Sequence, residues 1–434
     1  MGKLHTDRIE SKWKIENIID IAKVPSGFPV GFALLTQYQR QYVAYYDEDR
    51  KMTVAMRTLD SEKWHYHILP SQVGWDSHNY LTMALDDNGH LHLSGNMHCV
   101  PLIYFRTEKP GDITTLKKFS MTGDAEDRCT YPKFLNDAEN RLIFHYRDGG
   151  SGDGSEIYNV YNSETKTWKR FLDTPLTDGQ DQMNAYMKGP MLGPDSYFHM
   201  HWVWRDTPDC ATNHHLSYAR SKDLIHWESI EGESISLPIT LKQTELWVDP
   251  IPSGGGILNG HHHIAFGSDH RPILTYHKTD TNGNMQVYVA RPEKGKWVRH
   301  LLTDWDKPIH FSGRGAMPFI GIQISKLTQN EPGIFSMTYR HRDYGRGVLF
   351  VDEQTLSPLA EKAIILNEPY PQKMNQLQID FKGIDIRRSE DLGSPETEGI
   401  RYILQWETLG ANYDTMRKGP LPEPGMLKLY KLTL

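Results

Sequence analysis

Cysteine is scarce: the chain of 434 residues has three, Cys99, Cys129 and Cys210. An odd, sparse set excludes a disulfide framework, and there is no Cys-x-x-Cys pair of the kind that holds zinc. One bridge remains open to them if two of their strands are neighbours. Basic runs are absent and the formal net charge is −7, so the electrostatic footprint of a nucleic-acid binder is missing. No apolar stretch approaches the length of a membrane span. The opening residues, MGKLHTDRIESKWK, are polar and carry no export signal. Helical periodicity is nearly missing as well. The best stretch, Ile15 to Ala22, is short.

Aromatic residues are plentiful, with 11 Trp, 22 Tyr and 14 Phe, which suits sheets packed face to face. One phrase recurs seven times: an alternating run of bulky residues, a polar turn, and a second such run. The first runs are QYVAYYD, GHLHLSGNMH, RLIFHYRDG, SYFHMHWVWR, RPILTYHK, GIFSMTYRH and RYILQWETL. The second runs are TVAMR, PLIYFRT, EIYNVYN, HLSYARS, MQVYVAR, GVLFVD and MLKLYKL. Self-similarity at this spacing is the mark of a repeat architecture, and β units of this size suit propeller blades. Gly and Pro are spread evenly as turn residues, and no linker interrupts the chain. The sequence therefore predicts an all-β, seven-bladed β-propeller forming a single domain over residues 1–434. Ring closure is expected from a strand within SKWKIEN lying beside MLKLYK of the last blade, which would also hide a sheet edge.

The polar residues cluster at strand ends. His78 and Asn79 precede the second blade, and His98 ends its first run. Tyr146 and Arg147 end the run of the third. Arg205 ends that of the fourth, where Asn213, His214, Tyr218 and Arg220 follow. Equivalent ends of successive blades face one rim, so His78, His98, Tyr146, Arg147, Arg205 and His214 are expected to share a pocket. His, Tyr and Arg together suit β-elimination from a uronide. That reaction needs a base for the proton beside a carboxylate, a cation for the charge that develops, and an acid for the leaving oxygen. Any one of the 21 histidines is more often a structural residue than a catalytic one. His261 to His263 look like a metal triplet, but neighbours on a strand point to opposite faces and cannot all ligate. Trp64, Trp168, Trp227 and Trp297 recur at equivalent positions and are assigned to packing. Trp202 and Trp204 are candidates for sugar platforms. The glycine run Gly149 to Gly154 lacks the Lys-Ser/Thr of a phosphate loop. It reads as a turn that permits close backbone approach.

The phrases WDSHNY, TYPKF, YRDGGSGDG, NAY, WVWRDTPDCATNHHLSYARS, DPIPSGGG and RPILTYHK, taken with GHLHLSGNMH, resemble the BNR-repeat-like propellers. That group includes ulvan lyases, rhamnosyl-glucuronate lyases and α-L-rhamnosidases that release L-rhamnose from glucuronic acid. The resemblance spans roughly Val24 to Leu359. From the lyases it implies that His78, His98 and Tyr146 are catalytic. It also places Val160 where those lyases carry an arginine. Asn79, Arg147, Arg205, Asn213, His214, Tyr218 and Arg220 would bind substrate. From the rhamnosidases, similar over more of the chain, it implies a glycoside hydrolase with a single first-blade histidine on the opposite face. Gln37 or Gln39 stands at that place, and glutamine is no general base. The implied ligand is an acidic plant polysaccharide, with L-rhamnose on D-glucuronate, met in the periplasm or outside the cell. No nucleic acid, no membrane span and no required cofactor are expected. The resemblance leaves room for a structural metal ion near the axis, although no coordination spacing in the chain calls for one.

Overall fold

A computed structural model describes residues 8–359, 366–393 and 397–434; the remaining positions of the expected 1–434 domain lie outside the described residues. The fold is all-β. Its helical content among the described residues is four single 3₁₀ turns. Seven antiparallel sheets of four to six strands follow one another along the chain, beside a two-stranded parallel pair. The first sheet runs Ala33–Gln37, Arg40–Tyr46, Lys51–Thr58, His65–Gln72. The recurring phrase of the sequence forms an antiparallel strand pair within each sheet. It forms Arg40–Tyr46 with Lys51–Thr58, Leu142–Gly150 with Asp153–Asn162, and Ile334–His341 with Gly345–Asp352. Alternating residues give these strands two faces, and both are covered: every residue of Phe198–Arg205 is buried.

Two such faces require a neighbour on each side. Leu81–Leu85, first strand of the second sheet, packs against both Ala33–Gln37 and Cys129–Asn136. The fourth sheet meets the fifth through His201 Nδ1 and His262 Nδ1 at 2.8 Å. Arg291 of the fifth donates to Gln354 O after the sixth at 2.7 Å. The loop before the sixth sheet pairs with that of the seventh through Tyr413 N and Ala316 O at 2.9 Å. The seventh touches the first, where Leu392 N donates to Leu34 O at 2.8 Å.

The seventh sheet is built from both ends of the chain. Lys14–Val24 pairs antiparallel with Gly425–Thr433, beside Ile400–Leu409 and Ile384–Glu390. The stretch with the best helical periodicity, Ile15 to Ala22, is thus strand. Ile19, Ile21 and Val24 bury one face in the core shared with the first two sheets, while Ile15 and Ile18 pack on the other. Tertiary burial on both faces overrides a short periodic signal. The three cysteines are free, Cys99 exposed and the others buried. No bridge forms between them.

Fully burying one such aliphatic side chain contributes roughly 1.5–3 kcal/mol. Deleting residues 11–20 is therefore expected to lower the thermal unfolding midpoint by more than about 5 °C. An unchanged calorimetric transition would refute the structural weight given to this strand.

Candidate active site

A cavity of about 230 Å³ opens where the strand ends and loops of five sheets, the second to the sixth, converge. His78 comes from the loop before the second sheet, and His98 begins the short strand that joins the third. Tyr131 lies on Cys129–Asn136, and Ser151 at the next hairpin tip. Tyr186 and Arg205 belong to the fourth sheet. Asn259 and His261 precede the fifth, and Gly315 to Met317 precede the sixth.

Asp76 organises the histidine pair. Its Oδ1 accepts from His78 Nδ1 at 2.8 Å and from the His78 backbone N at 2.9 Å. Its Oδ2 accepts from His98 Nδ1 at 2.5 Å. The rings lie 4.4 Å apart, and each Nε2 is left for a ligand. Asp414, from the loop of the seventh sheet between Ile400–Leu409 and Gly425–Thr433, comes within 3.1 Å of His78 Nδ1. Burial alone would lower the His78 pKa. The two carboxylates outweigh it and raise the value to about 9. Burial would likewise raise the Asp76 carboxyl, but its bonds to His78 and His98 hold it well below the usual range. Asp76, His78, His98 and Asp414 carry donor atoms close enough together to surround a cation. Zinc at 2.0–2.1 Å from tetrahedral nitrogen and oxygen ligands would space them about 3.3 Å apart. The 2.5 and 2.8 Å contacts are instead those of charge-assisted hydrogen bonds.

Facing the histidines is a tyrosine–arginine cluster. Tyr131 adopts φ 57° at a bulge between Thr130 and Lys133. Pro132 follows it, and its missing N–H costs nothing where the ladder is already broken. The bulge turns the Tyr131 ring toward the histidines, 5.9 Å from His78 and 6.3 Å from His98. The Arg147 guanidinium lies over Tyr131 and Tyr186, with its carbon 4.9 and 5.6 Å from the ring centres. Both its Nη atoms are buried without a hydrogen bond of normal geometry, a costly state that marks functional sites. Arg205 Nη1 lies 3.4 Å from Tyr186 OH and 3.4 Å from Asn259 Oδ1. Ser151 Oγ is 2.6 Å from the same phenol. Burial would raise the Tyr186 pKa. Arg147, then Arg205 and the Ser151 bond, overcome it and make the phenol more acidic than usual. Burial raises that of Tyr131. Gly152 allows the neighbouring sheet to approach: a Cβ there would meet Asp206 O at 2.6 Å.

Of the residues singled out in the sequence, His78, His98 and Arg205 line the cavity, and Arg147 lies over the lining Tyr131 and Tyr186. Tyr146 does not join them. It faces the apolar core, where its hydroxyl donates to Ala125 O at 3.1 Å. Adjacent strand residues point to opposite faces, so a strand that turns Arg147 to the cavity turns Tyr146 away. Asn79 is half-buried outside the lining, and its backbone O accepts from Tyr46 at 2.6 Å. Asn213 is buried and bonds Cys210 O and Asn259. His214 is engaged by Asp206 at 2.8 Å. Tyr218 is in the core against His199. Arg220 pairs with Glu228 on a different surface. Trp202 and Trp204 are buried in the core and offer no sugar platform. Gln37 and Gln39 lie at the turn ending Ala33–Gln37, with Gln39 at φ 59°. Neither lines the cavity. The residues that sequence reasoning missed are Asp76, Tyr131, Tyr186 and Asp414. The first three stand inside the quoted phrases WDSHNY, TYPKF and NAY; Asp414 carries no signal.

A family model described as BNR repeat-containing family member matches residues 40–305. That is more than half of the chain, which belongs to this family. The long isoform of ulvan lyase from Glaciecola sp. (strain KUL10) is 29% identical over 154 residues, 26% of this chain and 15% of that protein. The one from Pseudoalteromonas sp. (strain PLSV) is 40% identical over 78 residues, 17% of this chain and 8% of that protein. The chain thus matches less than a sixth of the length of these relatives. The polysaccharide lyase Uly1 superposes with TM-score 0.64 at 16% identity, covering 97% of this chain and 100% of that one. An ulvan lyase bound to -[GlcA(1-4)Rha3S]- gives 0.57 at 12%, covering 94% of each. At such identities the likeness shows the fold. These proteins are lyases, and they overturn the expectation of a glycoside hydrolase of rhamnosidase type drawn from the sequence.

The His78 contacts set a pH dependence with a definite sign. A histidine with pKa 6.5 when free and about 9 when folded stabilises fully below pH 6.5, and that contribution is lost as pH rises through 9. The stability difference between the wild type and His78→Gln should therefore shrink between pH 6.5 and 9 in chemical denaturation. A difference independent of pH would contradict the assignment.

Proposed function

We propose that this member of the BNR repeat-containing family is a polysaccharide lyase that cleaves uronate-containing acidic glycans by β-elimination. In this reading the seven sheets are the blades of one propeller, and the cavity at their converging ends is the active site. The observation that carries it is the pairing of two Asp76-anchored imidazoles with a tyrosine–arginine cluster across one cavity. Elimination needs these roles, and hydrolysis has no use for so many cations.

The reaction proceeds as follows. The uronate carboxylate pairs with charged His78 and with Arg205, which spread the negative charge that builds on it as C5 loses its proton. His98 donates its Nδ1 proton to Asp76, so Nε2 is the basic nitrogen that takes the C5 proton. The electron pair forms a C4–C5 double bond, and the C4–O bond breaks. Tyr186 protonates the departing oxygen, and Arg147 and Arg205 stabilise the phenolate left behind. The neighbour bound to -[GlcA(1-4)Rha3S]- supports a glucuronate–rhamnose polymer as the substrate class. A polymer cannot cross a membrane unaided, which favours a site of action outside the cytoplasm.

Incubation with ulvan or a related glucuronate–rhamnose glycan should release fragments without addition of water, with new absorbance near the ultraviolet edge from the unsaturated uronide. Substituting His98→Ala or Tyr186→Phe should reduce kcat by about 10²–10⁴-fold. Fragments that have gained water, or none at all, would reject elimination.

A further inference from the structure

Asp414, from a loop of the seventh sheet, stands behind the cavity-lining His78, and its four contacts reach two other loops. Its Oδ1 accepts from Ser77 N at 3.2 Å and from Ser77 Oγ at 3.3 Å. Its Oδ2 accepts from Ala316 N at 2.8 Å and lies 3.1 Å from His78 Nδ1. Tyr413 and Asp414 both hold left-handed backbone, at φ 53° and 58°. Non-glycine residues persist there when their surroundings require it. Gly315 shows how close the two loops come, since a Cβ on it would meet Asp414 Oδ2 at 2.8 Å and Tyr413 O at 2.9 Å.

We propose that Asp414 is a positioning residue: it fixes the His78 ring, with Asp76, so that Nδ1 is permanently engaged by two carboxylates and Nε2 faces the substrate. The assignment of a substrate to that Nε2 rests on the lyase reading above. The groups facing His78 are Asp76, Asp414, His98 and Tyr131. Only the two carboxylates are anionic, so one imidazole N–H lies between two negative groups and keeps the ring charged. The ring then serves, beside Arg205, as a cation on the uronate carboxylate. Asp76 alone cannot do this, because its second oxygen is committed to His98.

The test uses the full chain carrying Asp414→Asn, with Asp414→Glu as the conservative variant. On a glucuronate–rhamnose polymer, D414N should lower kcat by about 10- to 100-fold, the range typical of partners that orient active groups, with KM changed less than about twofold. Its activity should also fail at lower pH on the alkaline side, because a histidine with one carboxylate fewer loses its proton sooner. Asp414→Glu should recover part of kcat. Independently of activity, NMR titration of the His78 ring should show its midpoint in D414N at least one pH unit below that of the wild type. An unmoved midpoint overturns the proposal even if activity falls, since the loss would then be structural. A moved midpoint with wild-type kcat and pH profile also overturns it. A moved midpoint when neither protein cleaves any uronate polymer sinks the lyase reading and leaves the hold of Asp414 on His78 established.

Discussion

A narrow antiparallel sheet with bulky residues on both faces cannot stand alone in water. Each face must be covered, and here the cover is another sheet of the same kind. That requirement fixes nearly everything else. The first strands of neighbouring sheets pack together, and the hydrophobic clusters run across sheet boundaries, as in the core shared by residues from the seventh, first and second sheets. Equivalent strand ends are carried to a common rim. Side chains as distant as Asp76 and Asp414 then meet at one imidazole. The chemistry of the cavity is a product of stacking rather than of any local motif.

Within that rim the charges are sorted into two halves. On one side, anions hold cations: Asp76 and Asp414 grip the histidines. On the other, Arg205 is bonded through neutral oxygens of Thr207, Pro208, Tyr186 and Asn259. Arg147 has its Nη atoms buried against Tyr131 and Tyr186 without a hydrogen bond of normal geometry. Guanidinium charge that is desolvated yet not neutralised by a carboxylate is stabilised by an arriving anion and by a more acidic phenol nearby. One half is therefore held by carboxylates, and the other carries guanidinium charge with no carboxylate bonded to it.

The hairpins were legible because alternation has a period of two and survives without any alignment: QYVAYYD and TVAMR map onto paired strands. His78 and His98 were legible from their phrases. The tyrosine was misassigned because sequence proximity to Arg147 says nothing about face, and a strand sends Tyr146 and Arg147 in opposite directions. Tyr131 was invisible for a related reason. A regular strand would not aim it at the histidines; the bulge at Pro132 does. Trp202 and Trp204 stand beside Arg205 in sequence, yet they are wholly covered by the core. Asp414 sits in an irregular loop without periodicity, so only the three-dimensional closeness of the second, sixth and seventh sheets reveals it.

The seventh sheet takes one strand, Lys14–Val24, from early in the chain and three from its end. During synthesis that early segment leaves the ribosome some four hundred residues before its partner Gly425–Thr433. Until then its apolar side chains and unpaired backbone have no lasting mate, and a nascent chain in that state is a substrate for chaperones. The same delay governs the cavity. The loop with Asp414 lies between Ile400–Leu409 and Gly425–Thr433, so the histidine it grips gains that second carboxylate only once these late strands have been made and paired. A chain stopped before Ile384 would carry the first six sheets and a His78 without its second carboxylate.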